Sequence, residues 1–266
     1  MNETLRQLLV TLADRYETAS FIEGDPSWFM HQVNDPLDQE TTAFLAMCLS
    51  YGSRQQFLPK IEKLMEMAHW HPYDWIAGGT FGHTIAPSPQ CFYRLYTFAD
   101  IHALCATLHD LFQSYGTLGH FAQTAIESAN TKSEDMTDAE AVLSAFATYF
   151  RQRGIKGLVP MPYTSACKRP CMFLRWMVRD GSPVDLGLWS DFIDKRHLFI
   201  PLDTHVMQTA NKLRLDIGKT AGWRAVVVLT QLMREAFPDD PARADYALYG
   251  YDIGLSTENL ESRLAR

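Results

Sequence analysis

The chain has 266 residues, 47% of them hydrophobic, and a formal net charge of −7 from 24 basic and 31 acidic side chains. That length supports one large domain or two lobes with a substantial core, and the acidic balance argues against a protein that coats nucleic acid through bulk charge. No run approaches the roughly 18 uninterrupted apolar residues of a membrane span. Met1 to Ile22 is broken by Glu3, Arg6, Asp14, Arg15 and Glu17, unlike a secretory leader, so a soluble, cytoplasmic protein with no membrane partner is expected.

Leu5, Leu8, Leu9, Leu12 and Tyr16 recur at helical spacing and open a pattern that stays helical throughout. Asp25-Pro26 and Asp35-Pro36 end this first region. The period returns at Phe44, Leu45, Cys48 and Leu49, and again at Leu58, Ile61, Leu64 and Met65, before Gly78-Gly79 through Pro87-Ser88-Pro89 marks a long loop. Further helices are predicted over 99–114, 117–128, 137–152, 170–179, 186–194, 204–214, 220–236 and 241–254. The polar run Ser128 to Asp135 is a connector, and Thr137 with Glu140 has capping-box spacing. Strand signals are poor, and Val226-Val227-Val228 sits inside a helical pattern, so the expected class is all-α.

Cys48, Cys91, Cys105, Cys167 and Cys171 show neither Cys-x-x-Cys spacing nor the His pattern of a zinc site, and are read as reduced, mostly buried thiols. No metal or cofactor is expected. Cys167 and Cys171 flank Lys168, where half a metal site or a redox switch is the rival to simple packing. From Arg151 to Arg179 the charged residues are all basic: Arg151, Arg153, Lys156, Lys168, Arg169, Arg175 and Arg179. Such a strip can meet phosphates, or it can be a solvated face whose arginines pair with distant carboxylates.

Gly154, Gly157, Pro160 and Pro162 break the helix near 151, so a turn must precede the apolar segment from Cys171 to Val178. Pro170 is tolerated only in a first helical turn, which puts Lys168 and Arg169 at a helix mouth. A lysine at the edge of a dry region can be freed as a nucleophile, although phosphate binding or a surface role competes. Asp203, ahead of Val206, Ala210 and Leu213, is placed as a helix N-cap. A capping carboxylate has a fixed direction and can also stabilise a developing cation, so the two roles are compatible.

Pro201-Leu202-Asp203-Thr204-His205-Val206, followed by Asn211-Lys212-Leu213, resembles the Val-Asp-Thr-His-Val signature of the helix-hairpin-helix (HhH-GPD) DNA glycosylases, the superfamily of endonuclease III and 8-oxoguanine glycosylase. Lys168 matches the position of that family's Schiff-base lysine. Leu49-Ser50-Tyr51-Gly52-Ser53-Arg54-Gln55 resembles the loop that helps occupy the gap left by a flipped base. The resemblance implies two helical lobes with a cleft between them: residues 1–36 with 200–266 as a terminal lobe, and 37–199 as a central lobe with a hairpin-like element at about 151–179. It implies a base-excision glycosylase with abasic-site lyase activity on damaged double-stranded DNA, with Lys168 as nucleophile and Asp203 as the essential carboxylate. Arg54, Gln55, Arg151, Arg153, Lys156 and Arg169 would contact DNA. Trp28, Tyr163, Trp176, Trp189 and His205 would line a base pocket, core packing being the rival for the aromatics.

Three departures qualify this. The family's Leu-Pro-Gly-Val-Gly hairpin is replaced by Val159-Pro160-Met161-Pro162-Tyr163-Thr164-Ser165-Ala166. The Lys168 to Asp203 spacing is about twice that of endonuclease III and nearer the archaeal 8-oxoguanine glycosylases, which makes 8-oxoguanine the first substrate to consider. No cysteine follows Cys171, so an iron-sulfur cluster of the endonuclease III kind is not expected. Two other readings remain: a catalytically silent nucleic-acid-binding member of the same fold, and a metal-dependent enzyme using His69 and His71 with His31 or His83.

Overall fold

A computed structural model describes residues 1–131 and 136–253. The chain is mostly helical, in the order α1 (Glu3–Tyr16), α2 (Pro36–Leu49), α3 (Arg54–Met67), α4 (Pro72–Ala77), α5 (Phe81–Thr84), α6 (Phe98–Tyr115), α7 (Leu118–Asn130), α8 (Asp138–Gln152), α9 (Lys168–Val178), α10 (Thr204–Lys212) and α11 (Trp223–Met233). A further helix, α12, covers 244–253. Short 3-10 turns at Ala19–Ile22 and Pro26–His31 occupy the stretch between α1 and α2. Among the described residues no helix is long and apolar enough to cross a membrane.

The centre of the fold is α2. Asp35 caps it by accepting from the backbone N–H of Leu37 at 2.8 Å, Pro36 occupies its first turn, and every residue from Glu40 to Leu49 is buried. A helix apolar on nearly all sides must be covered on all sides. It packs on α3, α4, α7 and α9, with Phe44 edge-on to Phe173 of α9 at 5.4 Å and tilted against Phe146 and Phe150 of α8.

A carboxylate, Glu40, sits in that core. Glu40 accepts from Leu118 N–H at 2.8 Å, Gly119 N–H at 3.2 Å and the Trp189 indole N–H at 3.0 Å, so it caps α7 from a neighbouring helix. Burial outweighs these donors and pushes its carboxyl from 4.5 up to about 6. The folded value lies above the unfolded one, so this contribution to stability is present below pH 4.5 and lost as pH rises through about 6. In urea unfolding, the margin of wild type over Glu40→Gln is expected to shrink by up to about 2 kcal/mol as pH rises across this window. An unchanged margin contradicts the assignment.

The α9 helix is buried from Pro170 to Val178, and two members of the basic strip go inward with it. Arg175 pairs with Asp185 at 3.2 Å and with Asp245. Arg179 pairs with Asp185, with Asp240 at 2.8 Å and with Glu17 of the N-terminal region at 2.6 Å, while the Tyr246 hydroxyl donates to Asp185 at 3.0 Å. Dehydration opposes the charge on both arginines, but these carboxylates outweigh it and hold each guanidinium above its usual range.

The all-α expectation holds with local corrections. A two-stranded antiparallel hairpin, β1 (Cys91–Tyr93) and β2 (Tyr96–Thr97), lies where no strand was predicted. The helix predicted over 186–194 is absent. There the N–H groups of Leu186 and Gly187 donate to the Trp176 carbonyl at 2.7 and 3.2 Å, and that of Trp189 donates to Met177 at 2.7 Å, satisfying the end of α9 rather than a new helix. Helix 220–236 contracts to α11, and 241–254 becomes a 3-10 turn at Pro241–Arg243 followed by α12. The Thr137 and Glu140 capping box is present in full. Lys132 to Asp135 of the polar connector, and residues 254–266 of the expected terminal lobe, lie outside the described residues.

Candidate active site

Lys168 opens α9 directly after Cys167, whose left-handed backbone (φ 49°) turns the chain sharply into the helix. The Cys167 thiol is buried and makes no side-chain cap, contacting the Pro160 carbonyl and the Ser165 hydroxyl, each at 3.4 Å. Asp203 stands at the start of α10, where one carboxylate oxygen accepts from the Val206 N–H at 2.9 Å. Its other oxygen faces the Lys168 ammonium at 3.3 Å. Both side chains stay accessible, at 38% and 32% of full exposure. Burial tends to raise the Asp203 carboxyl, but the Lys168 charge and the Val206 N–H outweigh it and hold the group below its ordinary value of 3.8.

The pair lies on the wall of a cavity of about 840 Å³, inside the range of small-molecule sites. Phe21, Phe57, Met172, Leu248 and Tyr249 supply apolar lining, and Asp25, Arg54, Arg175, Asp245 and Asp252 supply charge. Asp25 is 5% exposed, caps the 3-10 turn at Ser27, and meets Arg54 at 3.3 Å. Asp245 is held by Arg175. Burial is the largest influence on it and lifts its carboxyl above the usual range despite Arg175 and Lys168. The buried Thr209 hydroxyl also lines the cavity and has no hydrogen-bond partner among the described residues.

The residues singled out in the sequence separate into groups. Lys168, Asp203, Arg54, Arg169 and His205 come together at the cavity. His205 is 78% exposed and 3.9 Å from Asp252. Arg169, expected to meet phosphate, instead donates to three main-chain carbonyls: Cys48, Leu158 at 3.2 Å and Gly157 at 2.7 Å. It thereby staples the loop after α8 to the end of α2. Trp176 and Trp189 are core residues, 0% and 2% exposed, and not pocket walls. Trp28 stacks edge-on to Phe29 and Trp70 away from the cavity lining. Tyr163 is 61% exposed beside Trp223 and also lies outside the lining.

Gln55 is exposed at the start of α3 and does not line the cavity. Arg153 lies over the Tyr149 ring at 3.6 Å. Arg151 and Lys156 line a separate hollow of about 180 Å³ with Thr164 and Ser165, and form no ion pair among the described residues. Of the histidines weighed for metal, His31 bonds the Val184 carbonyl and His71 bonds Asp38. No group of three or more metal-ligating side chains occurs among the described residues.

Phe21, Asp25, Asp245 and Tyr249 went unnoticed in the sequence. Asp25 reads there as a helix breaker before Pro26. Asp245 and Tyr249 look like ordinary members of a helical repeat until α12 brings them over α9 and α10.

The chain belongs to a protein family of unknown function, DUF2400, whose family model matches residues 25–254. That span contains Lys168, Asp203, Asp25, Asp245 and Tyr249, leaving the whole of α1 outside it. No curated protein and no solved structure matches the chain.

Proposed function

We propose that the protein is a helix-hairpin-helix-like DNA glycosylase with abasic-site lyase activity, built from two helical lobes around this cavity. The observation that carries the reading is the Lys168 to Asp203 contact of 3.3 Å at two helix starts, open to a cavity large enough for an extruded nucleoside. Its mixed lining suits a base and sugar: Phe21, Met172 and Tyr249 offer faces for stacking, while Asp25 and Asp245 can accept from base N–H groups.

In this reading Lys168 first gives its ammonium proton to water; the free amine then attacks the sugar C1′ as the glycosidic bond breaks, and the base leaves with the bonding electrons and takes up a proton released from the new C1′ ammonium. Asp203, favoured as the carboxylate by its cap bond from the Val206 N–H, faces the developing oxocarbenium charge. The bond between Lys168 and C1′ becomes a Schiff base when the sugar ring opens. Loss of a proton from C2′ then expels the 3′ phosphate and cleaves the strand. No metal enters any step.

Borohydride reduces such a Schiff base to a stable adduct. With duplexes carrying 8-oxoguanine, uracil or an abasic site, wild type is expected to give a covalent protein–DNA band on at least one, and Lys168→Ala none. Salt-sensitive DNA binding with no adduct and no base release on any substrate would favour a silent nucleic-acid-binding protein instead.

A further inference from the structure

One buried hydroxyl on the cavity wall is unengaged. Thr209 of α10 is 1% exposed, yet it lines the cavity, and its hydroxyl has no hydrogen-bond partner among the described residues. A helical threonine can satisfy its hydroxyl locally by donating to the carbonyl four residues back. Thr41 does so to Leu37 at 2.7 Å, and Thr124 to His120 at 2.9 Å. The matching acceptor for Thr209 is the His205 carbonyl one turn earlier in α10, and that bond is not made. A buried hydroxyl left unpaired costs free energy, and one left so beside an open volume is completed by what fills that volume.

The rest of the wall shows which bond is on offer. The other sheltered serines of the lining are already engaged, Ser50 donating to the Ala46 carbonyl at 2.7 Å and Ser165 to that of Met161 at 3.1 Å. Arg175 is held by Asp185 and Asp245, Arg54 faces Asp25 at 3.3 Å, and Arg169 serves three main-chain carbonyls. Asp25 and Asp245 can receive base N–H groups, but an ionised carboxylate has no proton to give a base carbonyl. Thr209 has one. It lies about 9 Å from Asp203 along the axis of α10, a span that a sugar and its attached base would cover.

We propose that Thr209 is a specificity-determining residue of the cavity, its hydroxyl donating to a carbonyl oxygen on the far edge of the extruded base. This rests on the glycosylase reading for its occupant. It places the preferred lesions among bases with a carbonyl on that edge and makes adenine-like edges, which carry none, the poorer ligands.

The test compares full-length wild type, Thr209→Val and Thr209→Ser. Valine keeps the shape and helix preference of threonine while deleting the hydroxyl. In thermal unfolding without DNA, Thr209→Val is expected to melt at the wild-type temperature or above it, because it removes an unpaired buried group. In single-turnover base release from duplexes carrying 8-oxoguanine, uracil or hypoxanthine, it should be slower by about tenfold on whichever lesion wild type excises, with Thr209→Ser close to wild type. Borohydride trapping at a preformed abasic site, where no base occupies the cavity, should proceed at the wild-type rate. Equal base release by wild type and Thr209→Val overturns the assignment. So does a parallel fall in melting temperature, base release and trapping, which would make the hydroxyl structural. Trapping at the abasic site without base release from any of the three lesions keeps the lyase chemistry and overturns the role given to Thr209. No trapped adduct at all removes the glycosylase reading, and the Thr209 assignment with it.

Discussion

Asp203→Asn is expected to leave the fold intact while lowering base release by at least about 10²-fold, the usual scale for losing a group that faces developing charge. The substitution separates the two roles of one side chain. Asparagine caps helices about as well as aspartate, so the bond from the Val206 N–H at 2.9 Å survives and α10 keeps its start. The negative charge 3.3 Å from Lys168 does not survive. Single-turnover rates and urea unfolding measured on the same preparation tell the roles apart. Comparable loss of both would make Asp203 a structural cap only, and full activity would remove it from the chemistry.

The largest stability effect is expected at Arg179. This guanidinium is 3% exposed and binds Glu17, Asp185 and Asp240, which joins the end of α1, the turn after α9 and the segment before α12. Arg179→Ala leaves three largely buried carboxylates with one fewer cation, and stranding buried charge this way costs about 3–5 kcal/mol. That is a large part of the roughly 5–15 kcal/mol by which a typical domain is stable. Urea unfolding at neutral pH is the measurement, and a loss below about 1 kcal/mol would show that water or Arg175 takes over the role. The effect should reach the cavity as well, since Asp185 is shared with Arg175, and Arg175 holds Asp245 at the cavity wall.

What the sequence disclosed follows from how local each feature is. The Thr137 capping box, the Asp203 cap and the α9 start near Lys168 depend on a few neighbouring residues, and all are present in the fold. The 186–194 segment has helical periodicity, but carbonyls at the end of α9 claim its N–H groups, which no local pattern reveals. Strands of three and two residues joined by Arg94-Leu95 lack both the length and the Gly or Asn that mark a hairpin. Arg169 looks like a phosphate ligand in any linear reading. Only the fold brings the Cys48, Leu158 and Gly157 carbonyls around it. Half of the cavity is likewise a tertiary product, because Asp25, Asp245 and Tyr249 come from opposite ends of the chain.

The most direct test of the Lys168 and Asp203 assignment is to locate the covalent bond. Wild-type protein is trapped with borohydride on an abasic-site duplex, digested, and the modified peptide sequenced by mass spectrometry. The sugar remnant is expected on Lys168 at the start of α9. An adduct on Lys156, Lys212 or any other amine, or no adduct under conditions where the protein binds the duplex, would contradict the account.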